Sequence, residues 1–116
     1  MSCSVLKETV YKGRNNPNSV TFEQDGVEID FSAATRMLVD FEGISTNADT
    51  ADNAGLIDYS QGSGLVEFNF NGLDIPAGLY RASVIVFDAL HTDGQVLVYH
   101  DENKLQFRFV DANVNN

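Results

Sequence analysis

His91 and His100 are the only histidines in the chain, and imidazole is the side chain best suited to moving protons near neutrality or to holding a transition metal. They flank Asp93-Gly94, so a hairpin at that turn could set them facing each other across two strands. Zinc needs three or four nitrogen, sulfur or oxygen ligands, and the single cysteine, Cys3, is far away near the start. General acid or base work needs an oriented partner, and the sequence marks none beside either ring. Two surface histidines beside a turn are expected, with no catalytic residue, no metal ligand and no cofactor-binding residue among them. Asn47, Asp49, Asp52 and Asn53, ahead of Gly55, offer the oxygen ligands that calcium takes. Their spacing, Asp-x-x-Asp-x-x-Gly, departs from the Asp-x-Asp-x-Asp-Gly loop with a terminal glutamate that curls carboxylates around one ion. An ordinary polar loop, capped by its own Asx side chains, is expected there. Ser60-Gln-Gly-Ser-Gly64 is glycine-rich but carries no lysine, so it reads as a flexible link into a strand and not as a phosphate cradle. The chain has no Gly-x-Ser-x-Gly elbow.

Composition narrows the classes further. A chain of 116 residues fits one domain, residues 1–116, large enough to close a hydrophobic core without staples. Seventeen acidic residues against seven basic ones give a net charge of −10, which repels phosphate backbones, so no nucleic-acid partner is expected. The acids are dispersed, as solubility requires. No apolar run approaches the length that spans a bilayer, and Met1 to Lys7 lacks the basic start and apolar centre of a secretory leader. A lone Cys3 cannot close an internal disulfide and is read as a free thiol made in a reducing compartment.

The elements that must position these groups are strands. Apolar and polar residues alternate along most of the chain, and no helical stripe persists beyond a turn or so. Val66, Phe68 and Phe70 alternate with Glu67, Asn69 and Asn71, and Leu105, Phe107 and Phe109 with Gln106 and Arg108. Tyr80 to Phe87 is apolar on nearly both faces, which predicts a central strand covered on its second side by another element or another subunit. Val96 to Tyr99 is similar, and Asp93-Gly94 should join the two as a hairpin. Val5–Tyr11, Ser19–Gln24, Val27–Phe31 and Thr35–Phe41 supply the remaining strands, with Asp25-Gly26 turning the second into the third. The stretch 42–64 reads as an irregular loop pinned by Leu56-Ile57-Asp58-Tyr59, as a short edge strand or by inserting Ile57 and Tyr59 into a gap. The tail 111–116 reads as frayed. Strands at intervals of about ten residues predict an all-β antiparallel sandwich of about seven or eight strands. Its core should include Phe22, Phe31, Val39, Phe68, Phe70, Tyr80, Val84, Val86 and Phe107.

In Leu73-Asp-Ile-Pro-Ala-Gly-Leu-Tyr80, a Pro/Gly turn delivers a tyrosine into a strand. Either its hydroxyl ties back to a main-chain group upstream, as at the corner of an immunoglobulin-type sandwich, or it points to water. With Val10-Tyr-Lys-Gly13, Ser19-Val-Thr-Phe22, Gly26 to Thr35, Gly64-Leu-Val-Glu-Phe68, the Ile75 to Ala82 corner, Gly94 to Val98 and Leu105 to Val110, the chain resembles the Ig-like sandwich modules of tailed-bacteriophage virions. Those modules include the N-terminal domain of upper baseplate proteins and head-decoration or fibre-base domains. The resemblance implies an Ig-like fold and a non-enzymatic virion protein, without catalytic residues. It also implies binding to other capsid or tail subunits, as a homo-oligomer and a trimer sooner than a dimer. The baseplate proteins run on into long C-terminal regions, and this chain ends soon after its last strand. The expectation is therefore a small capsid decoration, cement, neck or tail-associated component. The other class to weigh is an Ig-like adhesion module that recognises surface glycans through the 42–64 loop with Phe41 and Tyr59.

Overall fold

The computed structural model describes residues 6–60, 64–102 and 104–111. The strands are β1 (Leu6–Lys12), β2 (Asn18–Thr21), β3 (Glu23–Gln24), β4 (Val27–Glu28), β5 (Ala34–Phe41), β6 (Asn47–Asp49), β7 (Ile57–Asp58), β8 (Leu65–Phe68), β9 (Gly78–Asp88), β10 (Gln95–Val98) and β11 (Leu105–Asp111). The helical piece among the described residues is one 3-10 turn, His100–Glu102. The larger sheet runs β1-β11-β9-β5-β6 with β10 also on β9, the smaller runs β2-β8-β7, and β3 and β4 form a separate hairpin. The fold is an all-β sandwich. In immunoglobulin terms β2, β8 and β7 take the places of strands B, E and D, and β5, β9 and β11 those of C, F and G.

Among the described residues the two layers hold nine strands, against an expected seven or eight, because one strand position beside β9 is divided. Along one side of β9, β11 covers Gly78 to Arg81 and β10 covers Val84 to Val86. Together they do the work of one long strand. The pairs are antiparallel except β1 with β11, which are parallel from Leu6↔Leu105 to Lys12↔Asp111. Alternation reports which face a strand buries and carries no information on the direction of its neighbour, so that pair was not foreseeable from it.

Inward residues of both sheets meet in one cluster. All of the expected core members except Tyr80 are buried, and Tyr80 packs against them half-buried. Phe41 lies at the centre, edge-on to Phe70, Phe107 and Phe109 at ring separations of 5.5, 5.8 and 5.4 Å. Aromatic rings favour this arrangement because ring edges are positive and faces negative. Burial of Phe41 removes it from any glycan-binding surface, which corrects that expectation. Tyr80 does close a corner: its hydroxyl donates to the Pro76 carbonyl at 2.8 Å.

Four boundaries differ from expectation, the first being Ser19–Gln24, which is divided at Phe22 between β2 and β3 in different sheets. The 42–64 stretch is not wholly irregular: β6 pairs with β5, and β7 pairs with β8 while burying Ile57. Val27–Phe31 is a strand only over Val27–Glu28, since Asp30 accepts the Ser32 amide at 2.9 Å in a tight turn that leaves the ladder. Phe31 still reaches the core, edge-on to Phe22. Asp111 belongs to β11 and is not frayed; residues 112–116, Gln61 to Ser63 of the glycine-rich link, and Cys3 lie outside the described residues. The Asp25-Gly26 turn does join β3 to β4, with positive φ at both residues (55° and 80°), as the type I′ hairpin turn requires.

The doubly apolar strand β9 finds part of its cover within the chain. On its outer face the Arg36 guanidinium lies 4.4 Å from the centre of the Phe87 ring, a cation–π contact. Gly94, at φ +88°, sits so close that a Cβ there would come within 2.6 Å of Ile85 Cγ2. The hairpin turn folds over the strand it follows.

Candidate functional site

The side chains best placed for chemistry gather where β9 changes partners. Its ladder passes from Val84↔Val98 on β10 to Arg81↔Gln106 on β11, and between them Ser83, paired with Asp40 of β5 on its other side, has no strand residue opposite on this one. The chain fills the gap with a side chain: the His100 amide donates to Ser83 Oγ at 2.8 Å, and Ser83 Oγ lies 3.1 Å from His100 Nδ1. The 3-10 turn is closed by reciprocal bonds, Tyr99 N to Glu102 Oε1 at 3.2 Å and Glu102 N to the Tyr99 carbonyl at 2.9 Å. This fixes the imidazole, with the Tyr99 ring 4.4 Å away.

His100 Nε2 then faces two carboxylates, Asp101 Oδ1 at 3.2 Å and Glu42 Oε2 at 3.5 Å. Glu42 follows β5 and is gripped by Arg81 of β9 through two bonds of 2.7 Å each. Those bonds hold the Glu42 carboxyl below its usual range, against a smaller opposing effect of desolvation, and raise Arg81. A groove of about 460 Å³ opens beside the cluster between Ile44, Ile85, Val96 and Tyr99.

Ser83 beside an imidazole that faces acids has the partners of a nucleophile, yet its geometry makes it a latch. It is buried and its oxygen already accepts the His100 amide. An attacking hydroxyl must reach substrate.

The other sequence candidates are placed apart. His91 lies before β10 and bonds through Nδ1 to Asp88 Oδ1 at 2.8 Å, which also accepts the Leu90 and His91 amides. The two histidines therefore stand at opposite ends of β10 with different partners, and do not face each other. Asp49 is clasped by Arg36, Nε to Oδ1 at 2.8 Å with Nη2 against Oδ2, and accepts the Ala51 amide at 2.9 Å. Asn53 Oδ1 accepts the Gly55 amide at 3.0 Å. These are the self-capping turns expected of a polar loop. Tyr59, Asp58 and Asn69 line a second hollow of about 380 Å³, though Asp58 is engaged by the Ser60 amide and hydroxyl at 2.9 and 2.6 Å.

Sequence reasoning missed the grouping of Glu42, His100 and Asp101. A weak signal was present in His100-Asp101, an imidazole and a carboxylate side by side, but Glu42 is brought to them only by the pairing of β5 with β9. By fold and corner, the chain is of the immunoglobulin-type sandwich class. Compared with protein-family models, with characterised proteins and with solved structures, it matches none.

Proposed function

We propose that this chain is a non-enzymatic structural module of a tailed-bacteriophage virion, which docks on capsid or tail subunits through the outer face of its larger sheet. The observation that carries this reading is the make-up of that face. Tyr11, Leu79, Val96 and Tyr99 are 42, 45, 56 and 45% exposed. By strand alternation they share the face with Lys7, Arg36, Arg81 and Arg108, four of the seven bases in a chain of net charge −10. Tyrosine and arginine around aliphatic side chains make the composition of a protein interface. The sheet edges contribute less: β1 carries Lys7 and Lys12, and β6 is three residues long, both devices that discourage edge pairing. The latched Ser83 and the Arg81-bound Glu42 support a non-enzymatic reading.

Sedimentation of the purified chain at two ionic strengths, with and without intact virions, tests this. Association with itself or with particles should strengthen as salt screens the like charges, and Leu79→Glu with Val96→Glu should abolish it. A strict monomer at both ionic strengths that ignored virions and capsids would overturn the proposal. Retention of that monomer on a glycan column would favour a glycan-binding module using the hollow beside Tyr59.

A further inference from the structure

We infer that Glu42, His100 and Asp101 form a binding site for one divalent transition-metal ion, zinc above all, on the outer face of the larger sheet. Four ligands arranged tetrahedrally around zinc, at bonds of about 2.0–2.2 Å, lie about 3.3–3.6 Å from one another. His100 Nε2 stands 3.2 Å from Asp101 Oδ1 and 3.5 Å from Glu42 Oε2. The three ligand atoms all fall within 4.8 Å of one another, and Asp101, 65% exposed, is free to turn inward and shorten the widest side. One imidazole with two carboxylates suits zinc and its first-row neighbours better than magnesium or calcium, which take oxygen alone.

What separates this cluster from an ordinary surface ion pair is the support behind it. Metal-binding histidines bond through their other ring nitrogen to a partner that sets the ring's orientation. Ser83, buried at 5% exposure, does this for His100 Nδ1, leaving Nε2 turned to the carboxylates. Arg81 fixes Glu42 in the same way. It uses one lone pair on Oε2, and a carboxylate oxygen has a second for an ion. Two ligands are thus set in place before any ion arrives. The adjoining groove leaves the fourth position for water or for a side chain of a docked partner.

Calorimetric titration of the full chain with zinc chloride, and with cobalt(II) read by its visible absorption, tests the inference. One equivalent should bind saturably. His100→Ala should abolish binding, and Asp101→Asn, at an exposed position that leaves the fold intact, should weaken it by no less than the roughly 10–100-fold that supporting partners contribute. His91→Ala and Cys3→Ser, which remove the remaining imidazole and the thiol, should leave it unchanged. A dissociation constant weaker than about 1 mM, binding that survives both His100→Ala and Asp101→Asn, or binding lost in His91→Ala or Cys3→Ser would overturn it. If His100→Ala fails to fold, Asp101→Asn decides.

Discussion

Tyr80 fastens the corner between the sheets with one hydrogen bond, to a carbonyl four residues upstream. Tyr80→Phe keeps the ring among Phe41 and Phe109 and removes only that bond. It should cost about 1 kcal/mol in denaturant melts, and an unchanged midpoint would show that the hydroxyl is equally content with water. Asp49 carries more, because it is buried and answers both Arg36 and the Ala51 amide. The Arg36 hydrogen bonds are the main cause that lowers its pKa; burial opposes them and the Ala51 amide assists. A carboxyl depressed in the folded state stabilises the fold fully above its ordinary titration range, near pH 4, and loses that contribution as pH falls through the folded value. Asp49→Asn, which still accepts the Ala51 amide, should therefore be less stable at pH 7 by about 1–2 kcal/mol, allowing for the open side of Arg36. Melts repeated toward pH 3 should show the gap to the parent protein closing. A constant gap would mean that charge has no part in it.

Among the elements, those that alternate cleanly were legible from sequence, and their faces came out as expected. Phe68, Phe70, Phe107 and Phe109 point inward, as period-two patterning requires. The Asp25-Gly26 and Asp93-Gly94 turns are where they were predicted, since turn chemistry is local. β6 was not legible, because Asn47-Ala-Asp49 has the composition of a loop and becomes a strand only through pairing with β5. Nor was the hub of the core: Phe41 ends a strand beside a polar stretch, and the sequence gives no sign that four other rings converge on it. Phe41→Ala should cost about 3–5 kcal/mol in the same melts. A loss below about 1 kcal/mol would mean that neighbouring rings collapse into the space, contrary to the tight packing of interiors.

At the scale of the whole molecule, the candidate site was the least legible part, because each contributor depends on a long-range pairing. Glu42 meets His100 through the β5–β9 ladder, and Ser83 meets it only because β9 exchanges β10 for β11. The parallel pairing of β1 with β11 was hidden for the same reason, and it has a mechanical side. Leu6 lies beside Leu105 and Lys12 beside Asp111, so the backbone enters β1 at one pole and leaves β11 at the other. Tension applied through the chain on either side of these strands would drag them past each other lengthwise and load the bonds of their ladder together, where a hairpin pulled from its open end yields one bond at a time. A sandwich strung between other subunits by its ends would therefore resist stretching through the same two strands that close its edge.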